Sequence, residues 1–435
     1  MKKITIILLA ALLLAGCSVK EKTPQATEAK SEVSSATIHK TEEVSQAPSI
    51  KETPLLNGKD VRITALALRD DGYDYVLEVF IENNSELDLM FRSDLGGRPK
   101  NSVNGYMVDT GSILDDLAAG EKRLCEVSFI KSRLKEKGIR EIAEIEVAFL
   151  ISDMDYNDYL ESDPVSIKTD IYDSFRFNDG VSDKFYYLEN YSQIDSQEKD
   201  FYSENGVNIF AQTMFEHEDG SKLMLIEAEN TSDQPVNVTY ENFSLNGLFI
   251  ENYKSVYINP HCKAIEEIWF PEPQVMELCG IDAVGKVTAD VTVSDANYKE
   301  SSEKVNLTFS ETDPTASFLR EGTEVYSADG IRMISMGLAK YEGRFPHAKS
   351  VLLVENSTDE PISVWAKYDS LKINGTECDV QNSGIDIGAG QWGLLTIGLY
   401  DSDLEDMGIT PADIENIEFA ALIRLSDTPP IKVEY

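Results

Sequence analysis

Three times along the chain, apolar and polar residues alternate strictly. The runs are Ile145, Val147, Phe149 and Ile151; Val287, Ala289, Val291 and Val293; and Ile417, Phe419, Ala421, Ile423 and Leu425. Period two with one apolar face predicts a half-buried strand of an antiparallel sheet. Upstream of each, Tyr75 to Ile81, Leu223 to Ile226 and Val351 to Val354 are almost continuously apolar, as suits a central strand. Those runs end in one kind of turn: Glu82-Asn83-Asn84-Ser85, Glu229-Asn230-Thr231-Ser232 and Glu355-Asn356-Ser357-Thr358. An Asn-Gly pair flanked by apolar residues follows each turn, at Asn104-Gly105, Asn246-Gly247 and Asn374-Gly375. Such a pair supplies the two positive-φ positions of a two-residue hairpin turn.

A Gly-Ile pair comes later in each copy, at Gly138-Ile139, Gly280-Ile281 and Gly408-Ile409, always 34 residues beyond the Asn of the Asn-Gly pair. An interval that long does not recur three times by chance, so the chain is a threefold internal duplication. A short helical turn is expected just before each Gly-Ile. Ser402-Asp403-Leu404-Glu405 has capping-box spacing there, and Ser132 holds the matching N-cap place in the first copy. Many short strands in units of this length predict an all-β protein of three tandem immunoglobulin-like β-sandwich repeats. The expected boundaries are 55–170, 207–310 and 330–435, with connectors at 171–206 and 311–329.

The first connector holds nine aromatics, Tyr172, Phe175, Phe177, Phe185, Tyr186, Tyr187, Tyr191, Phe201 and Tyr202. That density predicts docking on a neighbouring sandwich, with Phe185, Tyr186 and Tyr187 largely buried. A rival reading makes Phe175, Phe177, Phe185, Tyr186, Tyr187 and Tyr191 a ligand platform, where rings stack on sugars and nearby carboxylates accept hydroxyl bonds.

The N-terminus follows a different pattern. Lys2 and Lys3 precede an apolar run from Ile4 to Leu13, and Leu14-Ala15-Gly16-Cys17 is a lipobox. The order of charge, short apolar run and small residues is that of an export signal, and the run is too short to span a bilayer. Residues 1–16 are therefore a lipoprotein signal peptide, and the Cys17 thiol is where the lipid is attached. Residues 17–54, lipidated Cys included, form an expected disordered tether, since 18–54 contain no Phe, Trp, Tyr or Gly. As a flexible coil it would span about 35 Å. Ser18 after the lipobox, rather than Asp, places the protein on the extracellular face of the membrane, or in the outer membrane of a host with two.

Charge narrows the partners. With 77 Asp and Glu against 39 Lys and Arg, the chain carries a formal −38, which repels nucleic acid and anionic lipid surfaces. Beyond Cys17, only Cys125, Cys262, Cys279 and Cys378 remain, too few for a disulfide framework. Cys262 and Cys279 stand at and beyond opposite ends of one expected strand, some 25 Å apart, too far to share a metal or a bridge.

Motifs of known chemistry are mostly missing. His39, His217, His261 and His347 form no metal-type pair, and there is no phosphate-binding glycine loop, nucleophile elbow or Cys-x-x-Cys. Ser132-Arg133-Leu134-Lys135 matches the Ser-x-x-Lys of penicillin-recognising enzymes without their partner motifs; an N-cap serine explains it more simply. Asp153-Met154-Asp155-Tyr156-Asn157-Asp158 spaces oxygen ligands like a calcium loop but lacks the sixth-position glycine and the twelfth-position glutamate, where Pro164 stands.

Segments such as Ile81-Glu82-Asn83-Asn84-Ser85, Val103-Asn104-Gly105-Tyr106-Met107-Val108-Asp109, Ser162-Asp163-Pro164-Val165-Ser166-Ile167 and Ala328-Asp329-Gly330-Ile331-Arg332 resemble lipoproteins of clostridial, gut-type bacteria. Those carry tandem immunoglobulin-like modules of unknown function. The resemblance implies fold and location and transfers no activity. The expectation is a lipid-anchored, non-catalytic binding or scaffolding protein with a protein or glycan partner and no cofactor. A carbohydrate- or cation-binding accessory protein is the alternative, and an enzyme is disfavoured.

Overall fold

The computed structural model describes residues 47–93, 101–176, 190–251, 253–295, 299, 303–341, 347–378 and 383–435. The signal peptide, Cys17 and most of the expected tether lie outside them, as do Phe177, Phe185, Tyr186 and Tyr187. The described chain is all-β, in immunoglobulin-like sandwiches, with three cores. Among the described residues no helix is long and apolar enough to cross a membrane.

Each copy builds its first sheet from the same strands. In the first, Thr53–Gly58, Val61–Asp70, Asp74–Asn83 and Lys122–Ile130 lie side by side, all antiparallel. The counterparts are Tyr191–Glu204, Val207–His217, Lys222–Asn230 and Lys263–Trp269, then Thr323–Ala328, Ile331–Tyr341, His347–Asn356 and Trp392–Leu399. The continuous apolar runs supply the third strand of each set, buried on both faces, as Val76, Leu77, Val79 and Ile81 show.

The expected boundaries cut off the first strand of every copy. Thr53–Gly58 straddles the end of the supposed tether, Tyr191–Glu204 falls in the supposed connector, and Thr323–Ala328 in the supposed linker. All three are edge strands. Tyr191–Glu204 buries only Tyr202, so its polar sequence shows no core-facing alternation to read. The tether also ends earlier than expected: Ser49 donates from its backbone N–H to Asp170 Oδ1 at 3.1 Å, and Ile50 bridges Thr169.

The short helices fall where expected, at Lys131–Glu136, Pro273–Leu278 and Asp401–Met407. The capping does not. Ile130 and Tyr400 hold the N-cap places without a side-chain bond, and Ser132 and Ser402 sit inside the first turn. The capping box forms instead at Thr410 and Asp413, on the 3₁₀ turn that follows.

Two asparagines per copy fasten the fold. Asn83 is fully buried, and its Nδ2 donates to the carbonyls of Leu87, Leu117 and Ala118 at 2.8, 3.1 and 3.0 Å. Its Oδ1 accepts from Ser85 N–H and Oγ–H at 3.1 and 2.6 Å. Asn230 and Asn356 repeat the pattern with Ser232 and Thr358. A buried amide so saturated costs nothing in unmade bonds and fixes the corner.

The second asparagine opens the Asn-Gly turn. Asn104, Asn246 and Asn374 have φ of 53°, 53° and 49°, and the glycines after them 76°, 87° and 85°. Each pair tips a hairpin: Ser102–Val103 with Tyr106–Met107, Val236–Leu245 with Leu248–Phe249, and Leu371–Ile373 with Thr376–Cys378. The Asn side chain also clamps the tip to the loop before the alternating strand. Asn104 Oδ1 accepts from Ala143 and Glu144 N–H at 2.8 and 3.1 Å, and Asn246 and Asn374 do likewise with Gly285–Lys286 and Glu415–Asn416.

Candidate functional site

The hairpins of the first two copies do more than turn the chain. Tyr106–Met107 pairs in parallel with the second copy's Lys263–Trp269, and Leu248–Phe249 with the third copy's Trp392–Leu399. One sheet therefore runs unbroken from the first copy into the second, and another from the second into the third. At the first junction Lys263 N–H donates to Gly105 O at 2.8 Å, and Lys137 Nζ to Ile265 O at 3.0 Å. Tyr106 O–H donates to the buried Glu227 Oε1 at 2.9 Å. Met107 belongs to the second core and its sulfur accepts from Asn259 N–H, while Phe215, Leu225 and Ile265 of the second copy join the first core. At the second junction Leu248 faces Trp392, and the outer face of the third copy, with Ile334, Val351, Leu353 and Leu394, joins the second core. Phe318 meets the Trp392 edge at 6.1 Å between ring centroids, and Arg320 and Arg332 lie over that indole.

A cleft of about 180 Å³ opens between the second and third copies. The half-buried Trp365, cross-strand to Gly384, lines it. A Cβ at residue 384 would lie 2.2 Å from ring Cε3, so only glycine lets the indole lie against that strand. Tyr253, 64% exposed, lines the cleft too, with Glu241, Glu251 and Asp386. Glu241 pairs with Lys304 and Asp386 accepts from Ser363 O–H. Partial burial pushes the Glu251 carboxyl above its ordinary value. A second cleft on the other side of Ile250 and Glu251 is lined by the half-exposed Trp269 and by the Glu272–Lys349 pair.

The sequence platform at 171–206 does not gather in one described place. Phe175 follows a 3₁₀ turn, Tyr191 opens the edge strand with its ring 4.7 Å from His217, and Phe201 and Tyr202 pack on the second copy, Phe201 at 5.3 Å from Phe309. Phe177, Phe185, Tyr186 and Tyr187 are outside the described residues. The Asp153 loop is a turn: Asp153 accepts from the Asn157 side-chain Nδ2–H at 2.9 Å, and from Asn157 and Asp155 N–H at 2.9 and 3.0 Å, which holds its carboxyl below the usual range. Among the described residues no three His, Cys, Asp or Glu side chains group as a metal site. Cys125, Cys262, Cys279 and Cys378 are unbridged, and burial pushes the Cys125 and Cys279 thiols up to about 12.

Residues 1–18 match the model of the prokaryotic membrane lipoprotein lipid attachment site. The chain is thus a membrane-anchored lipoprotein with a lipidated Cys. No curated protein sequence matches it. Among solved structures it is similar to the exo-chitosanase CsxA of Amycolatopsis orientalis, at 12% identity and TM-score 0.18, covering 50% of this chain and 25% of that one. It is also similar to a 1.5-MDa bacterial ice-binding adhesin, at 8% identity and TM-score 0.14, covering 80% and 85%. A third is the SafA pilin of Salmonella enterica with its SafB chaperone, at 10% identity and TM-score 0.12, covering 49% and 89%. The chain spans about a quarter of the chitosanase's length, and scores this low carry no argument.

Proposed function

We propose that this lipoprotein is displayed on the extracellular face of the cell membrane as a non-catalytic binding and scaffolding array, akin to the clostridial tandem-module lipoproteins its sequence resembles. The observation that supports this reading most is the continuity of sheet through both junctions. A scaffold must hold its surfaces in fixed relation, and backbone pairing with interlocked side chains does that where a linker would not. The second-junction cleft supports a binding role in particular, because its position between two fused sandwiches keeps its walls in place.

Protease treatment of intact cells, followed by detection of the C-terminal Tyr435 end, tests display. The array should be removed from whole cells, and Cys17→Ala should shift it from the membrane fraction to the medium. Retention of the Cys17→Ala protein in the membrane, or full protection of the native protein in intact cells, would overturn the reading.

A further inference from the structure

The three copies provide their own control for what the fold requires. Trp365 lies nine residues beyond the corner asparagine Asn356, in the strand Ile362–Ala366 and opposite Gly384. By the shared corner asparagine, the equivalent cross-strand pair is Thr239 with Ser255 in the second copy and Arg92 with Leu114 in the first. An immunoglobulin-like sheet of this family of copies therefore forms without an aromatic ring at that place and without a glycine beneath it. Of the three copies the third alone has the ring, and there it lines the cleft.

We propose that this cleft is a binding site for an organic cation, an ammonium group carried on a small apolar or CH-rich body. The indole face and the Tyr253 ring give such a group a cation–π surface. Asp386 and Glu251 supply opposite charge at the rim, with Glu241 already engaged by Lys304. The formal charge of −38 draws cations to the protein as a whole. At about 180 Å³ the cleft has room for one head group or one sugar ring. An uncharged ligand of the same shape would have to desolvate the rim carboxylates with nothing to compensate them.

The test uses the full chain in detergent, labelled with 5-fluorotryptophan. The chain has three tryptophans, Trp269, Trp365 and Trp392, so three fluorine resonances are assigned by single Trp→Phe changes. Choline and glucosamine are the probes, one a quaternary head group and one an amino sugar. Their neutral counterparts are dimethylbutanol, in which carbon replaces the charged nitrogen, and glucose. At least one cation should shift the Trp365 resonance saturably and leave Trp392 in place, and its neutral counterpart should need about tenfold more. Raising the salt roughly tenfold should weaken the cation's effect. Asp386→Asn should weaken it severalfold while the thermal midpoint stays put. A Trp365 resonance indifferent to both cations overturns the site. Equal response to cation and neutral counterpart overturns the charge selectivity and leaves display at the surface untouched.

Discussion

The hairpin after Asn104-Gly105 and the hairpin after Asn374-Gly375 are built alike and end differently. Both turns take the same backbone shape, and both asparagines clamp the tip to the same loop. In the first copy the next residues are Tyr106 and Met107, both buried, which pair with and enter the second copy. In the third copy they are Thr376 and Glu377, both exposed, and the strand Thr376–Cys378 is the outermost of its sheet. The second copy follows the first, with Leu248 and Phe249. A mirror difference marks the receiving sheet: Leu225 and Val351 are buried at the junctions, and their equivalent in the first copy is Glu78, which pairs with Arg69. Two residues after a common turn thus decide whether a hairpin extends its neighbour's sheet or stays at the outer edge of its own. Terminal repeats of other arrays are kept soluble by the same device, a polar outer face.

The largest effect should come from charging the inserted knob. Met107→Asp places a carboxylate in the second core, 5% exposed in its present form, and should cost about 3–5 kcal/mol in urea unfolding. Glu377→Asp, at the equivalent place in the third copy, should leave the midpoint unchanged. Next comes the corner that all copies share. Asn230→Ala leaves three carbonyls and the Ser232 donors short of a partner, for about 2–3 kcal/mol. Asn83→Ala and Asn356→Ala should cost the same, because here the copies do not differ; unequal costs would show that the corners are not equivalent.

A smaller effect depends on pH. Glu266 stands on the inner face of its strand opposite Ile226, where the first copy has Cys125 and the third Leu395. Burial raises its carboxyl to about 6 despite Lys137 and Lys254. A raised acid favours the folded state while protonated, so stability should fall as pH rises from about 4.5 through 6. Glu266→Gln should gain about 1 kcal/mol at pH 7 and almost nothing at pH 4.5, read from thermal unfolding at the two pH values. Least of all, Glu377→Phe should change stability by under about 0.5 kcal/mol. Its expected signature is concentration-dependent association in sedimentation, since it restores the apolar knob without a sheet to receive it.

What the sequence disclosed follows from where side chains repeat. The Asn-Gly turns, the alternating strands and the central apolar runs carry period and turn chemistry, and they recur at a fixed interval, so three sandwiches were legible. Thr53–Gly58, Tyr191–Glu204 and Thr323–Ala328 were not, because an edge strand that buries at most one side chain is written like a linker. Ser132 was misread because Ser-x-x-Lys and cap spacing are both common, and nothing local reveals that the helix starts two residues earlier, with Ile130 at the cap. The cleft was invisible for a different reason: Glu241, Tyr253, Trp365 and Asp386 lie on two copies, far apart in the chain. A signal did exist. Aligning the copies on Asn83, Asn230 and Asn356 sets Trp365 against Arg92 and Thr239, and an aromatic that only one copy carries marks a place where the fold is not the reason.

The claim on which all this turns is that a hairpin of one sandwich locks it to the next. A spin-label distance measurement tests it most directly, with labels at Tyr73 of the first copy, 87% exposed, and at the exposed Glu218 of the second, and Cys378 replaced by Ser. The native chain should give one narrow distance distribution, and Met107→Asp should broaden it. A broad distribution in the native chain, or a narrow one untouched by Met107→Asp, would contradict the account.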